Sequence, residues 1–299
     1  MQESNSRQGE PAGAIIGLGL LGSAIAQRLV AAGFRIDGYD IRPEARERAE
    51  AYGVAVHPSA RETARRARLL ILSLMTSEDR RRLLWGEQDA AAALVPGTVI
   101  LDTTTARPGD IVDDHARLQG IGVRLVDVCV SGSSQAALEG RATALIGDTP
   151  ENAAGYDSAV ATFTKRRFYF HKPGQGNRAK LIVNTVYGLH RLVLAEALGL
   201  ASKAGFGLAT MLDVLRSGDT YSVMMDTKGP KMVSGLYEPA AARLEQHAKD
   251  VELILEFAKQ IGASVPVSEL HYDLLQRALE LGAGPLDNAA IFQVYSDKG

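Results

Sequence analysis

The chain has 299 residues with 33 Lys and Arg against 35 Asp and Glu, a formal charge of −2, which excludes a polycationic surface built to neutralise nucleic-acid phosphates. A hydrophobic share of 46% with 23% charged residues excludes disorder over most of its length, and that length suits two domains with separate cores. The single cysteine, Cys129, excludes an intramolecular disulfide framework and any zinc site made of several thiolates; no metal is expected, and a reducing compartment, the cytoplasm, is the natural home.

In chain order, residues 1–12 are polar without an apolar centre and read as a disordered tail rather than a signal peptide or anchor. No uninterrupted apolar run reaches the roughly 18 to 20 residues of a membrane span. From 13 to 173, β-rich runs at 14–16, 34–40, 69–75, 98–103, 124–131, 143–146 and 168–170 alternate with helical segments. That alternation is the rhythm of an α/β sheet with helices on both faces. The run Leu69-Leu70-Ile71-Leu72-Ser73-Leu74 is apolar at nearly every position, as a central parallel strand covered on both sides must be.

After Pro173 the pattern turns helical, with a long Leu-, Val- and Ala-rich segment over 177–204 and further amphipathic stretches at 209–216, 240–261 and 268–281. The expected architecture is an α/β Rossmann N-terminal domain, residues 13–173, followed by an all-α C-terminal domain, 174–299, that contains the long interdomain helix. An apolar helix of that length needs cover on most of its faces, and a small helical domain leaves some of it to a second copy; a homo-oligomer, dimer or tetramer, is expected. The arginine clusters Arg61, Arg65, Arg66, Arg68 and Arg80, Arg81, Arg82 have no interleaved aromatics and read as solvated helix faces, not as a nucleic-acid surface.

The segment Gly17-Leu18-Gly19-Leu20-Leu21-Gly22 is G-x-G-x-x-G, placed after a strand and opening a helix. Gly17 permits the tight turn, Gly19 lets backbone approach a pyrophosphate, and Gly22 lets the helix sit close on the strand. Asp40, at the end of the second strand and about 20 residues on, can accept hydrogen bonds from the adenosine ribose hydroxyls and repel a 2′-phosphate. NAD is therefore favoured, with NADP possible because Arg42 is close enough to offer a phosphate contact.

Here the sequence resembles the β-hydroxyacid dehydrogenase family, the group of 3-hydroxyisobutyrate dehydrogenase and tartronate semialdehyde reductase. Besides the glycine turn, the resemblance rests on 102–108 (Asp-Thr-Thr-Thr-Ala-Arg-Pro), Asp127 to Gly132, 174–180 (Gly-Gln-Gly-Asn-Arg-Ala-Lys) with Asn184, and Lys249-Asp250, in order over nearly the whole chain. It implies an NAD(P)-dependent oxidoreductase of CH–OH groups that interconverts a small β-hydroxy acid and its semialdehyde. It also implies Lys180 as the general acid/base, Thr104, Thr105 and Met75 beside the cofactor, and Lys249 approaching it from the helical domain. Lys180 and Asn184 are four apart on the long helix, hence on one face, so Asn184 would hydrogen-bond the lysine or the substrate. A lysine partly desolvated near a positive nicotinamide is a usable base for an alcohol.

The stretch Ser131-Gly132-Ser133 follows a strand and can aim hydroxyl and backbone donors at a substrate carboxylate. The family usually has Asp-Ala-Pro-Val-Ser-Gly-Gly there; this chain has Val128-Cys129 for Ala-Pro and Ser133 for the second glycine, so the substrate itself stays open. Three alternatives share the architecture. Imine reductases commonly lack the lysine, 6-phosphogluconate dehydrogenases carry a histidine close before it, and a non-catalytic dinucleotide reader would not need Lys180, Asn184 and Ser131 together.

Overall fold

The structure is a computed structural model that describes residues 12–296. Of the expected tail, residues 1–12, the first eleven lie outside the described residues and Ala12 belongs instead to the first strand. Two compact units divide the chain after Lys180.

Among the described residues the first unit contains eight strands, β1 (Ala12–Ile16), β2 (Arg35–Tyr39), β3 (Ala55–Val56), β4 (Leu69–Leu72), β5 (Val99–Asp102), β6 (Arg124–Ser131), β7 (Ala142–Ile146) and β8 (Thr164–Tyr169). Its helices are α1 (Leu20–Ala31), α2 (Pro43–Ala51), α3 (Ala60–Arg65), α4 (Ser77–Trp85), α5 (Pro108–Gln119), α6 (Ser134–Leu138) and α7 (Asp157–Phe163). The strands form one sheet in the order β3-β2-β1-β4-β5-β6-β7-β8, parallel except for the antiparallel pairing of β6 with β7. The direction of chain progression reverses between β1 and β4, and the crevice at such a switch point is where an open α/β sheet takes its ligands.

Alternation along each strand builds two apolar layers. Ile15, Ile71, Leu101, Val126 and Val128 face one layer with Ile25 and Leu29 of α1, whereas Ala14, Ile16, Leu70, Leu72, Ile100 and Leu125 face the other with Leu83 and Leu84 of α4. All four residues of β4 are buried, as the continuous apolar run requires, and it sits between β1 and β5. β3 was not expected: it has two residues and pairs with Asp37 and Gly38, where the missing side chain of Gly38 admits the Val54 methyl.

The helix α8 (Gln175–Lys203) begins in the first unit and continues into the second, followed by α9 (Leu208–Arg216), α10 (Val223–Thr227), α11 (Gly229–Ser234), α12 (Leu244–Ile261) and α13 (Pro266–Glu280). By length and composition alone α8 could cross a bilayer, but it carries Arg191 and Glu196 and buries Leu192, Leu194, Ala195 and Leu198 in the core of the helical unit. Its opposite face leaves Ile182, Val186, Val193 and Leu200 exposed.

One expectation about surface charge fails. Arg80, read with its neighbours as part of a solvated face, is fully withdrawn from water, because Asp102 and Asp114 supply carboxylates to it from β5 and α5. Arg61 and Arg65 are exposed, the latter paired to Glu62, as expected.

Candidate dinucleotide and acid/base site

Gly17 has φ +94°, a conformation open to glycine at no steric cost, and its N–H donates to the Tyr39 carbonyl at 2.9 Å. A Cβ at Gly22 would overlap the Gly17 carbonyl, so α1 packs on the turn only because that position has no side chain. A Cβ at Gly19 would meet nothing nearer than the Arg42 guanidinium at 3.7 Å, which leaves the turn open to a ligand. α1 starts after Gly19 with no side-chain cap and no acidic residue in its first turn, so the positive end of its dipole and its first N–H groups stay available to an anion. These features fit a dinucleotide pyrophosphate. Leu18 differs from its neighbours: its side chain is buried in the core and its N–H is spent on Asp40 Oδ2 at 2.8 Å. Leu20 is exposed and Leu21 packs against the core.

Asp40 is buried and hydrogen-bonded throughout. Oδ1 accepts from the Arg42 backbone N–H at 2.9 Å and from Arg42 Nε at 3.0 Å, while Oδ2 accepts from Leu18 N–H and from Arg42 Nη2 at 3.1 Å. Burial works against ionisation of this carboxyl, but the Arg42 and Leu18 hydrogen bonds outweigh it and hold the pKa below the usual carboxylate range.

The ends of β4 and β5 carry the other cofactor-side candidates. Thr104 is buried, its N–H donating to Asp102 Oδ1 at 3.1 Å and its Oγ1 accepting from the Leu74 N–H at 3.3 Å. Thr105 is half-buried beside it, and Met75, three residues past β4, is exposed.

On β6, Asp127 is fully buried and organises the start of α8. Its Oδ1 accepts from Gly174 N–H at 2.9 Å and its Oδ2 from Asn177 N–H at 2.8 Å. Desolvation pushes its pKa up to about 6 against the pull of those hydrogen bonds. Gly176 has no room for a Cβ, which would lie 2.6 Å from the Leu145 carbonyl and 2.9 Å from Asp127 Oδ2. This close seating brings Lys180 Nζ to the Val130 carbonyl, to which it donates at 2.7 Å. The lysine thereby sits at the mouth of the Ser131-Gly132-Ser133 turn. Gly132 has φ +128°, Ser131 is half-buried, and Ser133 caps α6 by accepting from the Ala136 N–H at 3.1 Å. Cys129, two residues before this turn on β6, is buried and in no disulfide.

In the helical unit, Asn184 donates through Nδ2 to Asp250 Oδ2 at 3.0 Å rather than to Lys180, and Lys249 Nζ lies 3.1 Å from Asp250 Oδ1. Asp250 therefore joins two expected site residues that the sequence did not link to each other. The sequence named Asp127 and Asn177 only as parts of motifs, and the only signal of their role was an acid inside an apolar strand and a polar residue among glycines at a helix start.

The glycine turn with its open helix end is that of a dinucleotide-binding domain, and the comparisons with known proteins specify which kind of protein carries it. Residues 13–170 match the family of the NAD-binding domain of 6-phosphogluconate dehydrogenase, and residues 174–295 match that of the NAD-binding region of NADP-dependent 3-hydroxyisobutyrate dehydrogenase. L-threonate dehydrogenase of Cupriavidus necator is 27% identical over 283 residues, 94% of this chain and 95% of that one. Glyoxylate/succinic semialdehyde reductase 1 of Arabidopsis thaliana is 28% identical over 282 residues, 93% of this chain and 96% of that one. The crystal structure of a 3-hydroxyisobutyrate dehydrogenase from Salmonella typhimurium shares the fold with a TM-score of 0.88 at 24% identity, covering 95% of this chain and 100% of that one. The chain belongs to the β-hydroxyacid dehydrogenase family, and it is an NAD(P)-dependent oxidoreductase acting on CH–OH groups.

Proposed function

We propose that the protein interconverts a small 3-hydroxy acid and its semialdehyde, with Lys180 as general acid/base. The observation that carries this reading is the 2.7 Å hydrogen bond from Lys180 Nζ to the Val130 carbonyl, one residue before the Ser131-Gly132-Ser133 turn. It puts the group that handles the proton next to the group suited to hold a carboxylate. The bound nicotinamide supplies the hydride chemistry. In the oxidising direction Lys180, as the neutral amine, takes the hydroxyl proton while the carbinol carbon gives up its hydride; in reduction the ammonium returns the proton to the carbonyl oxygen. The Ser131 hydroxyl and the backbone donors around Gly132 orient the substrate carboxylate. Asn184 and Lys249, both held by Asp250, serve substrate orientation and the cofactor side respectively.

Gly17, Leu18, Gly19, Leu20, Leu21 and Gly22 hold the pyrophosphate turn, Thr104, Thr105 and Met75 lie towards the nicotinamide, and Asp40 favours NAD over NADP. The lysine favours this chemistry over the imine reductases. The exposed stripe Ile182, Val186, Val193 and Leu200 on α8 supports a homo-oligomer, dimer or tetramer, formed through the helical unit. A single buried cysteine that forms no disulfide suits a cytoplasmic location.

The test is a panel of small 3-hydroxy acids and semialdehydes with both dinucleotides, run on the wild type and on Lys180→Ala. Lys180→Ala should lose at least ~10²-fold in kcat while binding the dinucleotide normally. A variant with near-normal turnover, or a wild type that turns over methyl esters as well as the free acids, refutes the reading.

A further inference from the structure

Asn177 lies one turn before Lys180 on α8 and is fully buried. Its backbone N–H and its side-chain Nδ2 face the same acceptor, Asp127 Oδ2, at 2.8 and 3.5 Å. Its Oδ1 accepts from the backbone N–H of Ala106 at 2.8 Å. Ala106 is itself buried and follows Thr104 and Thr105 directly, so water cannot take over this link.

The two ends of that loop are therefore tied to different bodies. Asp102 and Leu74 bind Thr104 to the sheet, at 3.1 and 3.3 Å, while Asn177 binds Ala106 to the lysine helix. The same helix is seated on β6 at two points three residues apart, Asp127 through the backbone of residues 174 and 177, and Val130 through Lys180. An amide is the side chain of this size that can accept from the Ala106 N–H and donate towards the Asp127 carboxylate at once.

We propose that Asn177 is a positioning residue that sets the placement of Lys180 relative to the Thr104–Thr105 loop, and so couples the acid/base group to the cofactor side of the site. The proposal rests on the hydride-transfer reading above. Asn177 need not touch substrate or dinucleotide. It acts through the helix it shares with Lys180 and through its bonds to Ala106 and Asp127.

The charged groups bearing on this position are Asp127 on β6, Asp102 behind it at the end of β5 with Arg80, and Lys180 on α8 itself. In Asn177→Asp a second carboxyl would face Asp127. While the pair holds one proton, the protonated acid replaces the amide as donor; when that proton leaves, two buried carboxylates repel and the helix start shifts.

The experiment measures NADH affinity by fluorescence titration without substrate, kcat and KM across pH, and thermal stability, for the wild type, Asn177→Ala, Asn177→Asp and Lys180→Ala. Asn177→Ala should weaken NADH binding and lower kcat by about tenfold or more, since displacements near 1 Å can cost up to about 10²-fold. Asn177→Asp should work best on the acid side and lose kcat as pH rises, a profile that neither the wild type nor Asn177→Ala shows. If folded Asn177→Ala keeps both NADH affinity and kcat within about twofold of wild type, whatever its melting temperature, the proposal is overturned. Should Asn177→Ala fail to fold, the nearly isosteric Asn177→Asp decides alone, and a wild-type pH profile in it overturns the proposal. Lys180→Ala separates the two readings: a dead Lys180→Ala beside normal Asn177 variants sinks only the coupling, whereas an active Lys180→Ala sinks the acid/base assignment.

Discussion

Arg80 donates through Nη1 to Asp102 Oδ2 at 2.6 Å, with both side chains fully buried. Nε of the same guanidinium reaches Asp114 Oδ2 at 2.9 Å, so one planar fork holds the end of β5 and the middle of α5 together. Asp102 in turn accepts from the Thr104 N–H, which ties this ion pair to the Thr104–Thr105 loop. Removing the arginine would leave Asp102 buried without its counter-ion, whereas Asp114 would keep Arg81. Arg80→Met should therefore cost about 3 to 5 kcal/mol in unfolding free energy, the range for breaking one side of a buried pair. Arg80→Lys should recover only part of it, because a point charge cannot bridge both carboxylates. Denaturant titration of the three proteins checks this, and a Met variant within about 1 kcal/mol of wild type would contradict it.

On the proposed function, Asp40 and Arg42 should govern cofactor choice. The carboxylate is occupied by Arg42 on both oxygens, and the guanidinium lies at the edge of the open Gly19 turn. With Asp40 intact, its charge opposes a 2′-phosphate; once it is neutral, Arg42 is free to pair with one. Asp40→Asn should shift the ratio of kcat/KM for NAD over NADP towards NADP by about tenfold or more, the worth of one charge-assisted hydrogen bond. Arg42→Ala should shift it the other way. Steady-state kinetics with both dinucleotides measure the two ratios, and movement in the same direction for both variants would show that the pair does not govern the choice.

Asp127 in the first unit and His271 in the helical unit should respond oppositely to acid. Burial raises the Asp127 pKa to about 6 from 3.8, so the folded state holds that proton more tightly than the unfolded chain does. Its contribution to stability is complete below pH 3.8 and is lost as pH rises through 6. His271 is the reverse case: burial first, and then the nearby Arg191 charge, lower its pKa from 6.5 to about 3. Its contribution is present above pH 6.5 and is lost as pH falls towards 3. Acid opening should therefore begin in the helical unit. Hydrogen exchange at about pH 6.5 and about pH 4.5, corrected for intrinsic rates, should show protection falling in α12 and α13 before it falls in β6. Earlier loss in β6 would contradict this order.

Gly188 sets a steric limit in the helical unit. A Cβ there would lie 2.7 Å from His271 Cε1 and 3.0 Å from both Cε1 and Nε2 of His247, and the two rings stand 5.1 Å apart on α13 and α12. Alanine in the middle of a helix is worth up to about 1 kcal/mol over glycine, but overpacking two buried rings costs about 1 to 3 kcal/mol. Gly188→Ala should lower the melting temperature, and a rise would show that the rings can give way.

Much of the fold was legible because its signals are local. The apolar run at Leu69–Leu72 needs cover on both faces and so belongs inside a sheet, and Gly17 and Gly22 stand where a Cβ would clash with backbone, which fixes the turn they make around Gly19. Lys180 and Asn184 stood out for the same reason, one helical turn apart in a recognisable motif. Arg80 did not: Arg80-Arg81-Arg82 looks uniformly solvated until Asp102 and Asp114 arrive from 22 and 34 residues away.

What the amino-acid sequence determined by itself was the alternation of the longer strands with helices, the dinucleotide turn and the family, since each depends on periodicity, glycine conformation or motif over a few neighbouring residues. Only the tertiary structure decided which charges are buried and which site residues hold one another. Asn184 finds Asp250 across 66 positions and Asn177 finds Asp127 and Ala106 across 50 and 71. It also set the direction of β7 and the pairing of the two-residue β3. The physical reason is common to all of these: a buried polar group must be satisfied by whatever partner the packed chain brings to it, and a partner distant in sequence leaves no local pattern to read.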